Sequence, residues 1–168
     1  DEFSHNGATR STVVAYAVVD VDRETGEIDV KEVTAVADCG TVLNPRSLKA
    51  QVSGGLLQGM SQARFEHWAF DLRWGVNQNL RLHTAKPITI MNTPPEFQFA
   101  AVDIPDRENP VGSRGIGEPP VGAGAAVVLS AIQDAIGMPI TRTPISSDKI
   151  LNAIEGGATG YTTLQTHV

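Results

Sequence analysis

One glutamate of this sequence is set between glycine and proline, directly before a stretch typical of a helix. Glu118 belongs to residues 112–120, GSRGIGEPP. Pro119 biases Glu118 away from the α region toward an extended conformation, and a helix N-terminus favours negative charge. A carboxylate held there stays ionised and serves as a proton acceptor even in a dry site. A helix-capping glutamate after a turn is the alternative, and for this motif in isolation it is the favoured one.

A second candidate is a glutamine beside a row of small residues. Gly55, Gly59 and Ala63 recur every four residues, so on a helix they form a groove without large side chains. Another backbone or a flat ligand fits such a groove, and Gln58 beside it offers both a hydrogen-bond donor and an acceptor. On spacing alone, close helix packing with a surface glutamine is the favoured interpretation.

Other reactive residue types form weaker patterns. Arg114 either holds an anion near Glu118 or lies on the surface. Cys39 is the only cysteine and has no histidine near it in sequence, which favours a buried structural role. The four histidines show no metal-ligand spacing, so no protein metal site is predicted. The stretch GSRGIG lacks the Gly-Lys-Ser/Thr ending of a phosphate loop, which excludes a nucleotide site of that kind.

The elements that must position these residues form an α+β pattern: a β-hairpin, a long helix, a strand and a second helix. Valine-rich residues 12–21 and 27–37 flank a turn that ends at Gly26 and indicate the hairpin. Asn44 before Pro45 is typical of a helix start, and the helix is predicted to run to about residue 68. The later elements are an irregular connection (71–95), a strand (96–102), a proline- and glycine-rich loop (103–119), a helix (120–136) ending at Gly137 and a short helix (147–154).

Length and composition indicate one compact unit that is incomplete by itself. The 168 residues are 41% hydrophobic and 19% charged, and no apolar run reaches the roughly 18 residues of a membrane span. No targeting segment is predicted. A net charge of −6 excludes a broad phosphate-binding surface and hence nucleic acid as a partner. We expect one domain over residues 1–154 and a flexible tail over 155–168, with apolar surfaces that need further neighbours.

Three motifs, taken in order, resemble one known family. They are residues 38–45 (DCGTVLNP), 51–59 (QVSGGLLQG) and 115–120 (GIGEPP). As a set they resemble the C-terminal portion of the molybdopterin-binding large subunit of the xanthine oxidase/aldehyde oxidoreductase family. The resemblance implies a molybdenum–pterin dithiolene cofactor, with Glu118 as the base toward the molybdenum-bound hydroxyl. It also implies that Gln58, Gly59 and Gly117 border the cofactor.

The resemblance further implies an oxidoreductase that is active only within a complex. The family's molybdenum subunit is several times longer than this chain, so the remaining molybdenum-subunit segments are expected partners. Subunits that carry [2Fe-2S] clusters and FAD are expected to remove the electrons. The expected reaction is hydroxylation of an aldehyde or an electron-poor (hetero)aromatic carbon with water-derived oxygen, in the cytoplasm or the periplasm. One alternative is a non-catalytic subunit that completes the molybdenum subunit's fold, and another is an unrelated small-ligand domain.

Overall fold

The computed structural model describes residues 10–156 as a three-stranded sheet with helices packed on one face, which confirms the predicted α+β class. The sheet order is β1-β2-β3, with β1 antiparallel and β3 parallel to the central β2. The elements are β1 (Thr12–Val21), β2 (Ile28–Asp38), α1 (Pro45–Arg64), α2 (Leu82–Ala85), a 3₁₀ turn (Ile90–Asn92), β3 (Glu96–Ala101), α3 (Pro119–Ile136) and α4 (Ser147–Ile154).

The predicted hairpin is present, and its turn is held by side-chain hydrogen bonds and by a glycine. The Asp22 carboxylate accepts hydrogen bonds from the backbone N–H groups of Glu24 at 2.7 Å and Thr25 at 3.0 Å. Gly26 has a φ of +73°, and a Cβ there would lie within 3.0 Å of the Ser147 carbonyl oxygen. Only glycine therefore fits at the point where the turn meets the start of α4.

The long helix α1 begins where the sequence predicts and ends earlier. The Asn44 side chain accepts a hydrogen bond from the Ser47 N–H at 3.0 Å, as an N-cap residue does. The helix ends at Arg64, before the predicted residue 68. The Ser61 hydroxyl accepts the Ile88 N–H at 2.8 Å, so the connection folds back on the last turn of α1. That long-range bond leaves no local signal in the sequence.

The two long helices pack backbone against backbone. A Cβ added at Gly59 would lie within 3.0 Å of the Val121 carbonyl oxygen, and one added at Gly124 would meet the Leu56 carbonyl oxygen as closely. The groove predicted on α1 is therefore filled by α3, and the helix-packing interpretation is confirmed. Glycines on both helices thus set the position of α3, including its first turn.

The end of the described chain also follows the sequence. Helix α3 ends at Gly137, which has a φ of +71° in the left-handed region, and α4 has the predicted bounds. Below α3 and α1 lies a core that includes Val33, Leu56 and Ile132, all fully buried. The predicted tail, 155–168, lies outside the described residues except for Glu155 and Gly156, so it stays a prediction.

Candidate functional site

The first motif meets the residues that lead into the third motif at the end of β2. The Thr41 N–H donates a hydrogen bond to the Gly112 carbonyl oxygen at 2.7 Å, and Gly40 forms an isolated antiparallel bridge with Ser113. Gly40 has a φ of +73°, and a Cβ there would lie within 3.0 Å of the same Gly112 oxygen. The loop that carries Glu118 is therefore held directly against the segment that leads into α1.

Arg114 ties the loop that carries Glu118 to the end of β2. Its backbone N–H donates to the Cys39 carbonyl oxygen at 2.6 Å, and its guanidinium donates to the Arg10 carbonyl oxygen at 2.7 Å. The guanidinium also pairs with the Asp38 carboxylate and lies 3.5 Å from an oxygen of Asp106. The side chain is only 17% exposed. Plain surface exposure is therefore wrong, because the guanidinium is largely buried against two carboxylates of this chain. Anion binding near Glu118 stays a prediction.

The pKa of the Asp38 carboxyl lies below its usual range. The largest cause is the Gly40 N–H, which donates to the carboxylate at 3.3 Å, and the Arg114 guanidinium adds to the effect. Burial raises the pKa of the neighbouring Cys39 thiol, which is buried as predicted. Cys39 is thus a packing residue rather than a reactive thiol.

The second and third motifs meet along one side of α1. The Gln51 Nε2 group donates to the Gly117 carbonyl oxygen at 2.9 Å. One turn further along, a Cβ at Gly55 would lie within 3.0 Å of the Pro120 side chain. The sequence did not mark Gln51 as a site residue. Its position seven residues before Gln58, two helical turns away on the same side, was the available signal.

Glu118 stands at the first turn of α3 with its carboxylate exposed. Its φ of −98° and ψ of −26° lie in the α region, so the predicted extended conformation is wrong. The Glu118 carbonyl oxygen accepts the Val121 N–H at 2.9 Å, and this bond draws the residue into the helix. Its ψ is less negative than in a helix interior, which relieves the clash with the Pro119 ring. Among the described residues, the Glu118 side chain makes no capping hydrogen bond to α3.

The other predicted site residues differ in their accessibility. Gln58 is exposed on the side of α1 from which Gln51 reaches Gly117. Gly117 is also exposed, and a Cβ there would meet nothing within 4 Å. Gly59 is buried beneath α3, so its missing side chain serves helix packing. The predicted contacts of Gln58, Gly59 and Gly117 with a cofactor stay predictions.

The described residues contain no metal-ligand cluster of their own. No group of three or more His, Cys, Asp or Glu side chains within residues 10–156 is arranged to hold a metal ion. The surface at the start of α3 instead combines an exposed carboxylate, exposed amides and open backbone at Gly117 and Gly54. Such a surface leaves room for a flat polar group beside the carboxylate.

A comparison with known families covers the first two of the three motifs. The model of the molybdopterin cofactor-binding domain matches residues 2–94. The chain belongs to the molybdenum hydroxylase family. This molybdenum hydroxylase chain is 30% identical over 142 residues to the nicotine 6-hydroxylase large subunit of Paenarthrobacter nicotinovorans. The aligned region covers 83% of this chain and 17% of that protein.

Two further relatives agree in sequence and in fold. The aldehyde oxidoreductase of Megalodesulfovibrio gigas is 31% identical over 142 residues, 84% of this chain and 15% of that protein. The crystal structure of quinoline 2-oxidoreductase from Pseudomonas putida 86 matches the fold with a TM-score of 0.77 and 28% identity, over 83% of this chain and 18% of that chain. This molybdenum hydroxylase chain therefore spans less than a fifth of the length of the relatives it matches.

Proposed function

We propose that this chain forms one wall of the molybdenum–pterin site of a molybdenum hydroxylase, with Glu118 as the catalytic base. The observation that supports this most directly is that the segment 112–120 is held at both ends by the other two motifs. The end of β2 bonds to residues 112–114, and α1 contacts Gly117 and Pro120. There the Glu118 carboxylate is exposed and makes no capping bond. The carboxylate has no cap to form here, because Pro119 and Pro120 carry no N–H group and the Val121 N–H already bonds to the Glu118 carbonyl oxygen.

The residues around Glu118 fit the cofactor that the family uses. Gln58 and Gln51 present amides on the same side of α1, and the open backbone of Gly117 and Gly54 lets a planar group approach closely. When bound, this cofactor supplies a two-electron acceptor that permits hydroxylation of an electron-poor carbon with oxygen from water. Gln58 would hold the cofactor by hydrogen bonding, and Gly117 would border it.

In this proposal Glu118 takes the proton from the water-derived oxygen that attacks the substrate carbon. A proton acceptor must be within hydrogen-bond reach of the group that it deprotonates. The backbone of Glu118 is restrained by Pro119 and Pro120, and Pro120 in turn packs on Gly55. The point at which the side chain leaves the backbone is therefore fixed relative to α1.

The remaining parts of the enzyme would lie outside these 168 residues. Because the chain spans 17% of the nicotine 6-hydroxylase large subunit, the rest of a molybdenum subunit would complete the cofactor site and form the substrate pocket. Subunits with [2Fe-2S] clusters and FAD would carry the electrons away. The substrate would be an aldehyde or an electron-poor (hetero)aromatic compound.

The substitution Glu118→Gln tests the proposal in the assembled complex. Glutamine keeps nearly the same volume and still forms hydrogen bonds, but it accepts no proton at neutral pH. With molybdenum content matched, we expect the rate of substrate-dependent reduction to fall by about 10² to 10⁴. Glu24→Gln in the exposed hairpin turn is the matched control and should leave the rate unchanged.

The same experiment separates catalysis from a purely structural role. If this chain only completed the fold of the molybdenum subunit, Glu118→Gln and Glu24→Gln complexes would turn over within a few-fold of each other. A complex purified through this chain without molybdenum would contradict both roles.

A further inference from the structure

The outer edge of β1 has no strand beside it among residues 10–156. The sheet order places β1 at one margin, with β2 on its inner side only. Strand β1 is 10 residues long and rich in valine. Val14 and Tyr16 are 67% and 62% exposed. A long apolar edge of this kind presents a row of unpaired N–H and C=O groups, which natural proteins normally cover or interrupt.

A groove runs along this edge beneath α3. Its volume is about 760 Å³. One wall is residues 13–19 of β1. The other is the side of α3 that carries four alanines, Val127 and the polar residues Ser130 and Asp134. Helix α3 has the length and the mean hydropathy of a membrane-spanning helix, yet only 28% of its residues are buried. The helix therefore overhangs the free edge with small side chains and leaves apolar volume below them.

The shape of the groove indicates what fills it. A helix laid there would leave the peptide groups of the β1 edge unpaired, whereas a strand would pair with them and place alternate side chains under α3. Because most residues of the α3 wall are small and apolar, and only Ser130 and Asp134 are polar, those alternate side chains must be mainly bulky and apolar to reach native packing density. The side chains of β1 that pack on the core include Val13, Ala15 and Val19, which are small. A second copy of β1 would therefore leave much of the groove empty.

We propose that the β1 edge receives a further β-strand from the remaining polypeptide of the molybdenum subunit, so that the sheet has at least four strands in the assembled enzyme. This inference rests on the proposed function, which places the chain inside a larger molybdenum subunit. The relatives supply the needed length, because more than four-fifths of the nicotine 6-hydroxylase large subunit lies outside the matched region. The incoming strand alternates bulky apolar residues facing α3 with residues on the open face of the sheet.

Hydrogen exchange in the assembled wild-type complex tests the pairing without any substitution. In a free edge strand every second amide faces solvent, whereas in a strand paired on both sides all amides are protected. We expect consecutive amides from Val13 to Val19 to exchange at least 100-fold more slowly than unstructured peptide, as those of the central β2 do. Protection of alternate β1 amides only would overturn the proposal. Molybdenum content and turnover of the same sample show separately whether the proposed function holds.

Crosslinking identifies the source of the strand. The only native cysteine, Cys39, is buried, so Val14→Cys places an accessible thiol beside the free edge. A short thiol-reactive photocrosslinker there should join this chain to the remaining molybdenum-subunit polypeptide. The same reagent on Leu72→Cys, a position that is 85% exposed in the 65–81 connection, is the control. A product that joins two copies of this chain through Val14→Cys would overturn the proposal.

A charge in the groove provides a second variant test. Ala126→Glu puts a carboxylate on the α3 wall, while Ala50→Glu puts one at an exposed position of α1 outside the groove. We expect the β1 amides to exchange at least tenfold faster in the Ala126→Glu complex than in the Ala50→Glu complex. Equal exchange in the two complexes would show that nothing fills the groove, and it would overturn the proposal.

Discussion

The two long helices begin with the same kind of sequence, a polar residue followed by proline, and the two starts are built differently. At the start of α1, Asn44 has an extended φ of −143° and its side chain caps the helix by accepting the Ser47 N–H. At the start of α3, Glu118 lies in the α region and makes no capping bond. The start of α1 is therefore stabilised by its own cap, whereas the start of α3 is held by packing.

The difference shows how one helix N-terminus becomes available for chemistry. The position of α3 depends on Gly55, Gly59 and Gly124, which bring its first turns against α1. Because Pro119 and Pro120 have no N–H groups and the Val121 N–H bonds to the Glu118 carbonyl oxygen, the Glu118 carboxylate is not needed to cap the helix. A polar side chain freed in this way can contact a substrate or cofactor instead.

Among substitutions that test how the two helix starts are held, Gly59→Ala should have the largest effect on stability. The added Cβ would meet the Val121 carbonyl oxygen, so α3 must shift or the helix pair must separate. We expect a loss of about 1 to 3 kcal/mol in the free energy of unfolding, together with reduced turnover as Glu118 moves. Thermal unfolding and turnover of the complex, measured together, check both effects.

Gly54→Ala is the matched control for the change in stability. A Cβ at Gly54 meets nothing within 4 Å, so alanine should stabilise α1 by roughly 0.5 to 1 kcal/mol. Opposite signs for the two substitutions are the expected result. Equal and small effects would mean that α3 is not positioned by the close contact at Gly59.

Gln58→Ala should weaken cofactor retention. Loss of a hydrogen bond to a polar group is worth roughly 1 to 3 kcal/mol, so partial loss of molybdenum from the purified complex is expected. Gln62→Ala, one turn further along α1 and also exposed, should retain full molybdenum. Unchanged molybdenum in Gln58→Ala, with an altered pH profile of turnover, would assign Gln58 to the chemical step instead.

Asn44→Ala should cost about 1 kcal/mol of stability through loss of the cap. Turnover per molybdenum should be unchanged, and Asn44→Ser should restore stability because serine also caps helices. Thermal unfolding and steady-state rates measure the two quantities. A fall in turnover without a fall in stability would remove the contrast between the two helix starts.

The smallest effect concerns Asp38 and acid pH. Its pKa in the folded protein is lowered, chiefly by the Gly40 N–H and then by Arg114, so its stabilising contribution is present above the unfolded-state pKa. That contribution should be lost as the pH falls below about 4 toward the folded-state pKa. Asp38→Asn should therefore flatten the pH dependence of stability in this range, as followed by thermal unfolding. An unchanged pH dependence in the variant would show that Asp38 does not contribute.

The parts of the fold that the sequence predicts are those with local signals. Asn44-Pro45 marks the start of α1, Gly137 marks the end of α3, and Gly26 marks the hairpin turn. The early end of α1 depends on the bond from Ile88 to Ser61, which joins distant parts of the chain. No local pattern reports a bond of that kind.

In the candidate site, too, the sequence predicted the features with local signals and missed those that depend on long-range contacts. The residue types and their order were sufficient to mark Glu118 and Gln58. The backbone conformation of Glu118 was not predicted, because its helical hydrogen bond outweighs the bias imposed by the following proline. The ties of Arg114 to Asp38 and Asp106 were also missed, since they form only after the loop folds onto the end of β2.

The central strand β2 pairs with one strand that is near it in sequence and one that is distant. We expect this difference to set the order in which the two strand pairs form during folding. It pairs with β1 across a short turn, but with β3 only after α1 and the long connection have passed, so that Glu32 meets Glu96. Closing the longer loop is slower because it costs more chain entropy. The hairpin thus forms early, and the Glu118 loop and α3 follow late. During synthesis, a nascent chain that has not yet released α3 carries an uncovered glycine row on α1 and no functional site.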